Sequence, residues 1–430
     1  MTEKFDVVIV GAGPAGISAA ITTARAKLNT LVIERGNIAG EKNVFGGVIF
    51  RHAFEKLIPD FVKVAPLERK VIEYQYWLLT DNSCIKLIYR DSNFKDKPSG
   101  YTALRAKFDA WYAKMAEEAG AMIITRTSAL KPIIKDRQVI GVETDRGEVY
   151  ANIVIAADGV NSLMAKHAGL YRRRKPNQVA LGVKEVIELH RTKIEEIFQL
   201  GMDEGVACLI FGGPLKGMTG GGFLYTNRDS LSLGFGALLI DIANKGKRPN
   251  KILEEFKKHP SIHPYIKDGV LKEYSAHLIP EGGYDAIPQL YTNGMLVAGD
   301  AAMFVNVLEY RGTDYAVESG ICAGKTAIYA HKVKDFSANT LKYYRKLLEN
   351  SFVLRDLKKF RRIPHIIEKN KALFDTYPEM LRDILRIWHT VDGELGEVKI
   401  KKIQRAIFSK RNPVMLIKDV VELIIKGVIF

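Results

Sequence analysis

Residues Gly11-Ala12-Gly13-Pro14-Ala15-Gly16 form a GxGxxG fingerprint, and their setting leaves the chain few folds to choose from. The run before them, 5–10 (FDVVIV), is apolar and β-branched, as a buried parallel strand requires. Residues 15–27 favour helix, and 30–33 (TLVI) read as a second strand, so a βαβ unit is expected at the start, with no secretory leader ahead of it. In such a unit Gly11 permits the tight turn, Gly13 lets the backbone approach a pyrophosphate, and Gly16 lets helix and strand pack closely. Pro14 and Ala15 open the helix, whose N-terminus offers unpaired N–H groups and a positive dipole end to the diphosphate. Glu34, followed by Arg35, closes the second strand 23 residues after Gly11, where an acid accepts bonds from ribose hydroxyls. These features predict a dinucleotide site without distinguishing FAD from NAD.

The composition removes whole classes. With 47% apolar residues in 430, the chain can bury a large core and is not disordered. Cys84, Cys208 and Cys322 stand far apart, which excludes a disulfide scaffold, a zinc site and an iron–sulfur set. No run approaches ~18 uncharged apolar residues, so a membrane-spanning helix is not expected. Further buried strands at 153–157 (IVIAA) and 295–298 (MLVA) belong with the first two, so the dinucleotide-binding domain is interleaved with other sequence. A helix over 106–119 ends at Gly120, residues 71–89 alternate like sheet, and 175–275 is strand-like and glycine-rich. The expected architecture is α/β: a Rossmann-type domain assembled from the discontinuous segments 1–50, 100–172 and 276–335, an inserted β-rich substrate domain of 51–99 and 173–275, and a basic helical C-terminal region, 336–430.

Two acidic turns narrow the cofactor. Asp158-Gly159 follows one strand and Gly299-Asp300-Ala301-Ala302 another. The second resembles FAD-binding Rossmann proteins of the p-hydroxybenzoate hydroxylase type, and the resemblance implies that Asp300 meets the ribityl chain of FAD. A long helix beginning near Gly312-Thr313 would then aim its N-terminus at the flavin and stabilise negative charge on the reduced ring. Alternatively, Asp158 caps a turn and Asp300 caps a helix.

Several motifs resemble the FixC family, related to electron transfer flavoprotein–ubiquinone oxidoreductase. They are the KNVFGG segment with Asn43, Gly46 and Gly47, the stretch LRAKFDAWYAKMAEEAGA around Arg105, TGGGFLYT from Thr219, IPEGGY from Ile279, and GDAAMFVNVLEYRGTDYAVESG from Gly299. The resemblance covers about residues 1–330. It implies that Asn43, Gly46, Gly47 and Arg105 contact FAD and that the backbone of Gly220 and Gly221 binds a quinone headgroup. Without it, Arg105 is a surface arginine and the two glycines mark a bulge or tight strand packing. Fused relatives carry a cysteine-rich ferredoxin-like domain, whereas the last quarter here has no cysteine. The resemblance therefore implies a separate ferredoxin-like iron–sulfur subunit, with electrons arriving from an electron transfer flavoprotein heterodimer and leaving to a membrane quinone. No metal site and no catalytic nucleophile are expected, because a flavin carries the chemistry. His52 and His277 read as ordinary surface or packed residues. A geranylgeranyl reductase-type FAD enzyme shares the architecture, but the segment where those enzymes carry a YxWxFP-type motif reads GGGFLYT here. A flavin-stabilised scaffold subunit without turnover also stays open.

The formal charge of +15 is uneven: residues 331–430 hold 22 Lys/Arg against 12 Asp/Glu, ten of the excess. In 412–430 (NPVMLIKDVVELIIKGVIF), Asn412 and Pro413 suit an N-cap and first turn, and Lys418, Glu422 and Lys426 share one face flanked by Asp419. A basic segment leading into such a helix can rest on a membrane surface, on the core or on a partner. The expected location is cytoplasmic, against the inner face of the membrane. The run Arg172-Arg173-Arg174-Lys175 reads as a solvated loop or a dock for an acidic partner, and no nucleic acid is expected.

Overall fold

The computed structural model describes residues 4–41, 47–171 and 174–422. Asn43, Gly46, Arg172, Arg173 and Lys426 lie outside them. The chain forms two compact units, Met1–Glu68 with Ser99–Val179 and His277–Arg361, and Arg69–Pro98 with Ala180–Ala276 and Arg362–Phe430. The stretch 336–430, expected as a region of its own, is divided between them after Arg361.

The first unit is wound on a parallel sheet. Its elements, in chain order, are β1 (Lys4–Val10), α1 (Pro14–Arg25), β2 (Thr30–Ile33), α2 (Arg105–Glu118), β3 (Gly147–Ala156), β4 (Met295–Val297) and α3 (Thr313–Val333). The strand order is β4-β3-β1-β2, followed by Met122–Ile124, and every neighbour is parallel. Val7 lies opposite both Ile153 and Thr30, and Val154 opposite Met295. These strands carry unbroken apolar runs because both sheet faces are covered. An antiparallel hairpin, Ala129–Lys135 and Gln138–Thr144, joins the N-terminal half of β3, which the sequence reading did not anticipate. Helix α3 packs along α1 so closely that a Cβ at Gly320 would stand 2.1 Å from the Ala15 carbonyl oxygen. Helix α2 joins α1 through a 2.8 Å bond between Tyr112 Oη and Ser18 Oγ, beside edge-to-face contacts of Phe54 with Phe108 and Tyr112. Burial of these aromatic rings fixes where Arg105, at the start of α2, can point.

The second unit is built on an antiparallel sheet whose strands run in the order Val270–Pro280, Val179–Glu188, Ser230–Leu238, Gly220–Thr226 and Glu204–Gly212. Lys70–Leu79 then pairs parallel to Glu204–Gly212 and carries Cys84–Arg90 at its side. One face of this sheet, with Trp77, Cys208, Ile210, Leu224, Leu233 and Phe235, is buried under Ile252 and Phe256 of the helix Pro249–Lys258. The helices Thr376–His389, Gly396–Lys410 and Pro413–Val420 complete the unit.

Candidate cofactor site

In a doubly wound sheet the ligand lies along the C-terminal ends of the parallel strands. Those ends set Asp300, Asp158, Gly11 and Glu34 side by side, in that order, after β4, β3, β1 and β2. Gly11 has φ +101, and a Cβ there would strike the Ala157 carbonyl oxygen at 2.4 Å. A Cβ at Gly16 would lie 1.9 Å from the Gly11 carbonyl oxygen. Both glycines are therefore required by the turn itself. Gly13 caps α1 in extended geometry with Pro14 at its first position, which leaves first-turn N–H groups free to face a ligand.

Glu34 is buried and already oriented: Oε2 accepts the Ala12 N–H at 2.9 Å and Oε1 the Gly36 N–H at 2.6 Å. Its remaining lone pairs can still take a ribose hydroxyl. Asp158 Oδ2 accepts the Met164 N–H at 2.9 Å, in the first turn of the helix Leu163–His167 whose N-cap is Ser162. Its Oδ1 is shut away from solvent with no hydrogen-bond partner, and burial pushes the carboxyl up to about 6. Asp300 sits in the 3-10 turn Gly299–Ala302, and burial pushes it up to about 6 against the pull of Arg105 and Arg174. The N-cap of that turn is Ala298, so Asp300 lies within its first turn and is not its N-cap.

Arg105 is buried and gives Nε and Nη2 to Asp109 Oδ1 and Oδ2 at 2.9 and 2.8 Å, so it is no surface arginine. The i, i+4 spacing of this pair was visible in the sequence, but its burial was not. His277 is half-buried, and burial lowers its pKa, with the charges of Arg105 and Arg35 adding to the effect. The charges of Arg105 and Arg35 reach it, so it lies near this strand edge as a partly packed histidine. Four residues on, Glu281 is pushed up to about 8 by burial alone.

Gly312 caps α3 and Thr313 begins it. Its first turn also contains a wholly buried Asp314, which accepts from Arg311 Nε at 2.9 Å and has His52 Nε2 3.5 Å away. The positive end of α3 thus carries a carboxylate of its own, and the dipole acts together with the Arg311–Asp314 pair. Gly47, in the first unit, is buried and its carbonyl accepts the Ala103 N–H at 2.9 Å.

Gly220 and Gly221 belong to the second unit, at the start of the strand Gly220–Thr226. A Cβ at Gly220 would meet the Gly236 carbonyl oxygen at 2.1 Å, so strand packing alone requires glycine there. At Gly221 the nearest atoms are the Phe211 ring at 3.3 Å and the Ile210 carbonyl oxygen at 3.4 Å, a tight fit but not a prohibitive one.

Arg174 departs from expectation. Lys175 is exposed as read, but the Arg174 guanidinium turns inward over the Tyr171 ring at 4.3 Å, its Nε and Nη2 buried without partners. The glycine turn a Cβ would fill, the orphaned Asp158 Oδ1 and these unpaired donors together fit a dinucleotide along these strand ends. Among the described residues no cluster suits a metal ion.

Comparison with known proteins agrees. The family described as FAD dependent oxidoreductase matches residues 6–175, and the ETF-QO/FixC family C-terminal domain matches 363–424. Protein FixC of Bradyrhizobium diazoefficiens is 41% identical over 97% of this chain and 97% of its own length. Protein FixC of Escherichia coli K12 is 44% identical over 94% of each. The probable electron transfer flavoprotein-quinone oxidoreductase YdiS of the same strain is 42% identical over 97% of each. Among solved structures, a geranylgeranyl bacteriochlorophyll reductase-like protein from Thermoplasma acidophilum superposes with a TM-score of 0.75 at 22% identity, over 99% of this chain and 100% of that one. The flavin-dependent brominase Bmp2 gives 0.65 at 15%, over 99% and 100%. At such identities these two likenesses speak to the fold alone.

Proposed function

The chain belongs to the FixC family of FAD-dependent oxidoreductases, and from that premise we propose that it passes electrons from an electron transfer flavoprotein heterodimer to a membrane quinone. The observation that carries the reading is the match over nearly the whole length to FixC proteins and to a probable electron transfer flavoprotein-quinone oxidoreductase. Bound FAD supplies reversible electron uptake; the protein binds, orients and shields it. The α1 N-terminus holds the diphosphate, Glu34 the adenosine ribose, and Asp158 and Asp300 the ribityl side. Asp109 keeps Arg105 fixed beside them, Arg35 and Gly47 join the enclosure, and Asn43 and Gly46, outside the described residues, are assigned to FAD from the family resemblance alone. The N-terminus of α3 at Gly312 and Thr313 favours negative charge on the ring. Gly220 and Gly221 are the candidates to offer backbone contacts to a quinone headgroup, and Cβ packing at Gly221 does not by itself demand glycine.

With no cysteine in residues 331–430, an iron–sulfur relay is assigned to a separate ferredoxin-like subunit. Contact with the membrane is assigned to the C-terminal helices of the second unit. They and the connection between the first two expose Trp388, Val391, Leu395, Phe408, Val414 and Ile417 amid basic residues, and exposed apolar side chains of this kind mark an interaction surface. No helix among the described residues is long and apolar enough to cross a membrane.

The experiment is to photoreduce the bound flavin and add a short-chain quinone without oxygen. Reoxidation of the flavin supports the reading. A flavin that ignores quinone but is reoxidised while a geranylgeranyl lipid becomes saturated would replace it.

A further inference from the structure

Binding FAD brings two phosphate charges to a strand edge that already carries Glu34, Asp158 and Asp300. The helix dipole offsets about half a charge, and Arg105 gives Nε and Nη2 to Asp109. Arg174 lies close enough to feel both Asp158 and Asp300, yet no ion pair ties it to either, and its Nε and Nη2 are buried without acceptors. Leaving charged donors unpaired is costly unless a ligand completes them. The Tyr171 ring beneath the guanidinium fixes its plane. Burial lowers the Arg174 pKa only to about 10, so the group stays charged at neutral pH. Its neighbours Asp158 and Asp300 follow β3 and β4, the side of the edge away from Glu34.

We propose that Arg174 is a positioning residue for the cofactor, its Nε and Nη2 donating to the phosphate on the flavin half of the dinucleotide. This rests on FAD binding alone and is independent of where the electrons come from or go.

The test uses the flavin-loaded full-length protein, Arg174→Gln and Arg174→Lys, each diluted into a series of KCl concentrations. Released FAD is read by its fluorescence. At low salt Arg174→Gln should raise the Kd for FAD about 10- to 100-fold, as expected for a charge-assisted bond. It should also flatten the dependence of log Kd on log salt, because a screened charge–phosphate contact is gone. Arg174→Lys should weaken binding less and keep the wild-type salt slope, and it carries the test if Arg174→Gln does not fold. An unchanged Kd in the variants overturns the proposal. So does weaker binding by Arg174→Gln at the wild-type salt slope, which would make Arg174 a packing residue only.

Discussion

Two carboxylates govern what single substitutions should do in the first unit. Asp109 is buried and holds Arg105 through two hydrogen bonds. Asp109→Ala removes both of those bonds from a buried guanidinium, and breaking such a pair costs about 3–5 kcal/mol. Urea unfolding should show a loss of that order, together with weaker FAD retention. Stability within about 0.5 kcal/mol of wild type would mean that Arg105 finds another partner. Glu281 behaves in the opposite sense. Burial raises it to about 8, so the folded protein prefers the protonated acid. Its contribution to stability is complete below the ordinary carboxylate range and is lost as pH rises through about 8. In flavin-free protein Glu281→Gln should therefore melt higher than wild type at pH 9, by on the order of a few °C, with the gap closing toward pH 5. A gap independent of pH would contradict the assignment.

At the scale of elements, the C-terminal helix Pro413–Val420 shows what local sequence can and cannot convey. Its start was legible: Asn412 accepts the Met415 N–H at 2.8 Å and Pro413 occupies the first turn. Asn412→Ala should cost about 1 kcal/mol by urea unfolding. Asp419, read only as flanking the face of Lys418, Glu422 and Lys426, is buried and accepts from Arg411 Nε at 2.8 Å and Tyr377 Oη at 2.6 Å. That contact joins three helices across 42 residues and has no local signal. Asp419→Ala should detach the helix, seen as faster proteolysis after Arg411; unchanged proteolysis would show the clamp to be idle. The same division holds in the first unit. β1, the glycine turn and β2 were readable because strand period, φ requirement and helix start are all local to about 30 residues. The inward turn of Arg174 was not, since it depends on tertiary packing, and of Asp314, adjacent to Thr313 in sequence, only its complete burial was hidden. Gly220 had two readings in sequence, and only the 2.1 Å approach of Gly236 shows that packing demands it.

On the scale of the whole molecule, exposed apolar side chains stand among basic ones in the C-terminal helices of the second unit, although six of the ten excess charges of residues 331–430 lie in 331–361, in the first unit. The proposed membrane contact then requires both terms. Cosedimentation with anionic vesicles should fall as salt rises, and Trp388→Glu combined with Ile417→Glu should abolish it at low salt. Binding that ignores both salt and the double substitution would place the contact elsewhere. The central claim concerns electron flow. The most direct measurement mixes the flavin-loaded protein, with the proposed ferredoxin-like subunit, against reduced electron transfer flavoprotein without oxygen, and follows flavin absorbance before and after quinone is added. The account predicts bleaching in the first step and full recovery in the second; a flavin that stays oxidised with every partner present would contradict it.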